Sequence, residues 1–263
     1  MQSFEYHRPS SLDEAISLLE KSGGSLLAGG QSLIPAMKLD LAAPPALVSL
    51  RDVAELRGVK MEKGAVSVGA TTTHAEVAAS KDVQKEIPGL AALAGDIGDP
   101  QVRNCGTIGG SVAHADPAAD YPAAVVGLGA TIVTNEREIA ADDFFTGMFS
   151  TALGAGEVIK AVRFPIPESA AYAKFASKAS KYALVGVMVA KSGKEVRVAV
   201  TGAGTLVFRQ EEMEAALAKD FSAKALEKVA QSPDGLVSDL EASAEYRAHL
   251  VGVMARRAVE SCR

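Results

Sequence analysis

Two short stretches combine paired glycines with a hydroxyl: "AGGQS", Ala28 to Ser32, and "GTIGGS", Gly106 to Ser111. A backbone without Cβ atoms can bring several N–H groups around one anion, and a serine adds a further donor. Two such loops could share a pyrophosphate. The familiar nucleotide motifs do not fit. Gly24 and Gly29 have the glycine spacing of a P-loop, but Gly30 stands where its lysine must be, which excludes ordinary NTP hydrolysis. Gly127 with Gly129 and Gly202 with Gly204 lack the third glycine of a dinucleotide Rossmann turn. The chain has 24 glycines, so each loop taken singly reads as turn chemistry, and only the pair opens a ligand reading.

Other chemistry is sparse. Cys105 and Cys262 are too few and too far apart for a disulfide framework or an iron–sulfur cradle. His7, His74, His114 and His249 show no metal spacing, so no metal is expected on this chain. No nucleophile or acid–base constellation stands out, and no catalytic residue is assigned. A net charge of −5 without a run of Lys or Arg argues against a nucleic-acid surface. No apolar run reaches membrane-spanning length and the start is unlike a signal peptide, so the expected location is cytoplasmic.

The elements that must position the loops follow from periodicity. Ser10 or Ser11 can cap a helix whose stripe is Leu12, Ala15, Ile16 and Leu19, ended by Gly23 and Gly24. "SLLAGG" and "ALVSL" read as strands, and "VKMEKGAVSVGA" as a hairpin turning at Lys63-Gly64. Helices are expected in "THAEVAAS", "IPGLAALAGDI" and "PAADYPAAVVGLGA", with "NCGTIGGS" as a turn, then strands "ATIVT" and "EVIKAVRF". "FPIPES", with Pro165 and Pro167, is the best linker. Beyond it come strands "AKFAS", "YALVGVMVA" and "EVRVAVTGAG" and helices "RQEEMEAALA", "AKALEKVAQ" and "AEYRAHLVGVMARRAVE". Three strands followed by helices indicate a compact α+β unit.

The stretch "DPQVRNCGTIGGSVAHADPAAD", Asp99 to Asp120, resembles the FAD-binding signature of the flavoprotein (medium) subunits of molybdenum hydroxylases, the family of carbon monoxide dehydrogenase and xanthine dehydrogenase. "AGGQSLIP" matches that family's first pyrophosphate loop and "AEYRAHLVGVMARRAVE" its C-terminal helix, so three separated motifs occur in order. The resemblance implies an α+β protein: a vanillyl-alcohol-oxidase-type (PCMH-type) FAD-binding fold of two α/β subdomains, 1–56 and 57–167, and a flavin-covering domain, 168–263, with a three-stranded antiparallel sheet and helices.

It also implies roles. Ala28, Gly29, Gly30, Gln31, Ser32 and Leu33 would wrap the FAD diphosphate together with Thr107, Ile108, Gly109, Gly110 and Ser111. Asp120 would meet a ribityl or ribose hydroxyl, while Asp116, before Pro117, reads as a helix cap. Ile97 would touch the cofactor's apolar side, Glu157 and Val162 would line the adenosine, and Lys174 and Tyr182 would lie against the flavin. Lys181 stands where the family usually has an acid, and Gln31 where its carbon monoxide branch often has His. The implied role is electron transfer: an iron–sulfur subunit with [2Fe-2S] clusters would deliver electrons from a molybdenum–pterin large subunit, and this chain's FAD would pass them to an outside acceptor. The assembly would be a dimer of heterotrimers. Two other readings stay open: a free-standing FAD oxidoreductase using NAD(P)H, and a non-catalytic binding or assembly protein whose glycine loops are bare turns.

Overall fold

The computed structural model describes residues 1–262. Among the described residues three larger sheets follow one another along the chain, besides a two-stranded ribbon of Phe145–Gly147 and Ser150–Thr151. The first holds Glu5–His7, Ala46–Ser49 and Ser25–Leu27 in that spatial order, all parallel. Parallel neighbours need crossovers, and the first crossover is the helix Leu12–Ser22. Ser11 caps it through Glu14 N–H, and Gly23, at φ +59°, ends it. Its stripe meets Val48, Leu50, Val53 and Leu56.

The second sheet is antiparallel, with Val59–Glu62, Ala65–Gly69, Ile159–Pro165, Thr131–Thr134 and Glu138–Ala140 side by side. The hairpin turns at Lys63-Gly64 as expected. Between Gly69 and Thr131 the chain makes six short helices, including Pro100–Cys105, Ile108–His114 and Tyr121–Gly127. "NCGTIGGS" is therefore not a free turn. Thr107 caps a helix whose first turn contains Gly109 and Gly110.

Pro165 ends one strand, and the next, Ser169–Ala176, belongs to the third sheet. That sheet pairs Ser169–Ala176, Ala183–Ser192 and Glu195–Thr201 antiparallel and adds a two-residue edge, Phe208–Arg209, which gives four strands where three were expected. Ala183–Ser192 is buried on both faces. Val185, Val187 and Val189 face the helices Glu211–Lys219 and Ala244–Ser261, while Met188 and Ala190 join the core beneath the second sheet. That is why "YALVGVMVA" is apolar throughout and does not alternate. The helix expected in "AKALEKVAQ" is only a 3₁₀ turn, Ala223–Leu226. Leu226 is its single fully buried apolar side chain, too little to hold a short helix.

Candidate functional site

Strands of the first two sheets, the segments that follow them, and the loop Ser180 to Tyr182 between two strands of the third line one cleft of about 730 Å³. The strand Ser25–Leu27 delivers the first glycine loop, which runs into the helix Leu33–Lys38. Gly30 takes φ +71°. A Cβ on Gly29 would lie 2.3 Å from the Cys105 carbonyl oxygen and 2.6 Å from Gly106 Cα. The glycine thus lets the first loop press directly on the second. The N–H groups of Gly29, Gly30, Gln31 and Ser32 donate to no protein acceptor among the described residues. The Gln31 side chain folds back to donate to the Gly29 carbonyl at 3.1 Å.

The second loop behaves differently from the equal nest the sequence implied. Ile108 N–H donates to the Thr72 carbonyl at 3.1 Å, Gly109 N–H to Ala70 at 2.8 Å and Ser111 N–H to Thr107 at 3.0 Å. Gly110 N–H donates to the Thr107 hydroxyl at 3.2 Å. A Cβ on Gly109 would meet Ala70 Cβ at 2.5 Å, so this glycine serves packing. One on Gly110 would meet Thr107 Oγ1 at 2.9 Å and Ala28 Cβ at 3.7 Å, on the side where the two loops converge.

Behind the loops, Asp120 is buried on the cleft wall. It accepts from the Tyr172 phenol at 2.6 Å and lies 3.1 Å from Lys174 Nζ. Burial pushes its carboxyl up to about 6, against the opposing pull of Lys174. Asp116 accepts from Ala118 N–H in a turn rather than capping the helix as expected, since that helix begins at Tyr121 with Asp120 at its N-cap position.

At the cleft floor stand Thr71 and His74, whose Oγ1 and Nδ1 are buried without a partner among the described residues. Burial, with Arg103 nearby, pushes the His74 imidazole down to about 4, so it is neutral at ordinary pH. Its ring fills the place a Cβ on Gly106 would need, with Nε2 2.6 Å from that position.

Of the residues singled out from sequence, Ala28, Gly29, Gly30, Gln31, Ser32, Leu33, Ile97, Thr107, Gly109, Gly110, Ser111, Asp120, Glu157 and Tyr182 line this cleft. Ile108 and Val162 do not. Both are fully buried in the core beneath the second sheet, where their helix and strand pack together. Lys174 stands behind Asp120, its amine also accepted by the Asp96 carbonyl at 2.8 Å. The Glu157 carboxylate is committed elsewhere, to Arg137 at 3.0 Å, Thr134 at 2.8 Å and Gly154 N–H at 2.7 Å. The Arg137 guanidinium holds it at about 2. Tyr182 is 46% exposed at the rim, next to Lys181, which adopts φ +65°. Thr71, His74 and Tyr172 were not singled out, since nothing in their local spacing distinguishes them from core residues.

The donor set suits a long ligand with an anionic middle: unclaimed amides at Gly29 to Ser32, unpartnered buried polar atoms below, and largely apolar walls around them. The volume is in the range of about 300–1,000 Å³ usual for small-molecule sites.

Comparison with known proteins agrees with that chemistry. Residues 2–167 match the family described as "FAD binding domain in molybdopterin dehydrogenase". Residues 170–262 match "CO dehydrogenase flavoprotein C-terminal domain". The carbon monoxide dehydrogenase medium chain of Afipia carboxidovorans is 38% identical over 98% of this chain and 96% of that protein. The nicotine 6-hydroxylase medium subunit of Paenarthrobacter nicotinovorans is 35% identical over 98% and 97%. The solved structure of reconstituted CO dehydrogenase from Oligotropha carboxidovorans superposes with a TM-score of 0.89 at 38% identity, covering 98% of this chain and 97% of that one. With both family matches and near-complete coverage added to the two-loop cleft, the chain belongs to the FAD-binding medium subunits of the molybdenum hydroxylase family.

Proposed function

We propose that this chain carries electrons through a bound FAD, from an iron–sulfur subunit to an external acceptor, within a complex whose large subunit holds a molybdenum–pterin centre and oxidises the substrate. When bound, the flavin supplies the redox chemistry, and the protein supplies binding, orientation and electrostatics. The observation that carries the reading is the closure of two glycine loops over one cleft, Gly29 against Cys105–Gly106, with the first loop's amides unclaimed.

In this reading the amides of Gly29 to Ser32 hold the diphosphate, the hydroxyls of Ser32 and Ser111 add donors, and Gly110 leaves room for the ligand. Asp120 accepts a cofactor hydroxyl, and Lys174 sets that carboxylate's charge from behind. Tyr182 covers the flavin from the rim, with Ile97 on the apolar side. The proposed division is 1–56 and 57–167 for FAD binding and 168–263 for covering the flavin. A cytoplasmic dimer of heterotrimers completes the reading. Relatives named for carbon monoxide and for nicotine both align with this chain over nearly their whole length, which supports assigning substrate choice to the large subunit.

The test is purification from the native host. The expected result is a yellow protein that releases FAD on denaturation and co-elutes with an iron–sulfur and a molybdenum subunit, its flavin bleaching when substrate is added anaerobically. Colourless protein unable to take up FAD would overturn the cofactor role. A stable, fully active monomer would overturn the subunit role.

A further inference from the structure

Asp120 immediately precedes the helix Tyr121–Gly127, yet the groups that hold its carboxylate come from the third sheet. Tyr172 and Lys174 are two residues apart on the strand Ser169–Ala176 and so share a face. The Tyr172 phenol donates to Oδ1 at 2.6 Å, and Lys174 Nζ lies 3.1 Å from the same oxygen. Oδ2 has only a long 3.4 Å contact with Lys174.

The phenol reaches Asp120 because the neighbouring strand has no side chain in its way. Gly186 pairs with Lys174, and a Cβ on it would lie 2.1 Å from the Tyr172 hydroxyl oxygen and 2.8 Å from the ring carbon that bears it. Glycine weakens a strand interior, and here it interrupts an otherwise apolar run, "ALVGVMVA", at the place the phenol occupies.

We infer that Tyr172 is a positioning residue: its phenol, admitted by Gly186, holds Asp120 ionised and turned so that Oδ2 meets a hydroxyl of the bound cofactor. The occupant of the cleft follows the proposed function; the hold on Asp120 is independent of it. Every charged group facing Asp120 bears on the sign. Lys174 and Tyr172 favour its carboxylate, while burial and Asp96 oppose it. Tyr121 and Tyr182, which Asp120 itself influences, are phenols pushed above their ordinary range, as is Tyr172, and so stay protonated across neutral pH. Asp116 lies beyond, on the Tyr182 side.

The test follows the Asp120 carboxyl by carbon-13 NMR through a pH titration of the full chain without cofactor, in wild type and in Tyr172→Phe. Loss of one hydrogen bond to a charged group is expected to raise its midpoint by about one unit. Gly186→Ala keeps the phenol but removes its room, and should shift the midpoint the same way. Flavin-fluorescence titration then reads FAD affinity against pH. The acid limb of Tyr172→Phe should move up by the same amount, with Kd about threefold weaker midway between the two midpoints, approaching about tenfold below both, and convergence at alkaline pH. An unmoved Asp120 midpoint in both variants overturns the inference, and so does a variant affinity profile that overlays the wild type. Wild-type protein that binds no FAD would overturn the cofactor reading instead, while the carboxyl titration still decides the link between Tyr172 and Asp120.

Discussion

At the scale of single residues, the glycines divide by what they are pressed against. Gly29, Gly106 and Gly109 meet protein: the Cys105 carbonyl, the His74 ring and Ala70. Gly110 has only the Thr107 hydroxyl and Ala28 within 4 Å. Their substitutions should therefore separate stability from cofactor retention. Gly29→Ala forces the two loops apart and should cost about 1–3 kcal/mol as an overpacked contact, seen in urea unfolding, together with loss of FAD. Gly110→Ala gains about 1 kcal/mol of helix preference against a similar cost at the Thr107 cap, whose hydroxyl lies 2.9 Å from the new Cβ, so it should keep the melting temperature within a few degrees yet lower bound FAD per chain. Equal losses of stability in both would show that Gly110, like Gly29, is kept for packing rather than for a ligand.

His74 gives a second prediction at this scale. Its folded value of about 4 lies below the ordinary 6.5, so the unfolded chain binds the proton more tightly. The stability of the neutral ring is complete above 6.5 and is lost as pH falls toward 4, a slope that sums to about 3 kcal/mol. His74→Phe should flatten stability across this window relative to wild type, and parallel curves from denaturant unfolding at several pH values would refute the assignment.

Among elements, the segment Pro117 to Asp120 is held from the third sheet. The Thr201 hydroxyl, fully buried, donates toward the Pro117 and Ala119 carbonyls at 2.9 and 2.7 Å, and Gly202 and Ala183 N–H groups donate to Pro117 and Ala118. Thr201→Val keeps the shape and removes the one hydroxyl proton available to two part-buried carbonyls, of which Pro117 keeps the Gly202 N–H, at about 1 kcal/mol. Faster amide exchange at Gly202 and Ala183, with reduced stability, is the expected result; unchanged exchange would show the segment is held by packing alone. This scale also shows what the sequence could reveal. The helix at Leu12, the hairpin at Lys63-Gly64 and the long C-terminal helix were legible because cap, turn and stripe are local signals. The helix Leu33–Lys38, with Pro35 in its first turn, and the helix built on Gly109 and Gly110 were not. The second has a local cap at Thr107 but rests also on Gly109 packed against Ala70 and on Ile108 and Gly109 N–H groups donating to Thr72 and Ala70, contacts between residues far apart in the chain. The glycine pairs announced a site. That Gly29 faces the other loop, that Glu157 is spent on Arg137, and that Tyr172 reaches Asp120 all depend on register between distant strands, which periodicity does not encode.

For the whole molecule, the question is whether the part that carries both glycine loops can stand without the third sheet. The helix Tyr121–Gly127 is buried at all seven positions, which an independent surface helix cannot be. One of its faces packs on Met188 and Ala199: a Cβ on Gly127 would lie 2.6 Å from Met188 Cγ. Ala170, Met188, Ala190, Ala199 and Val207 belong to the same core as Val66 and Val68 of the second sheet. Ending the chain after Pro167 would therefore bare an apolar face and remove Tyr172 and Lys174 from Asp120 at once. Such a chain should aggregate or lose near-ultraviolet circular dichroism, and should fail to retain FAD. The intact chain should lose flavin and helix in one transition with coincident midpoints. A soluble 1–167 chain that holds FAD with full affinity would show instead that the third sheet only covers a site already complete. Two separated transitions in the intact chain would mean that the shared core does not couple the sheets. Because Asp120 is held by one sheet and the glycine loops by the other two, the coupled outcome is the one in which cofactor binding reports on the fold as a whole.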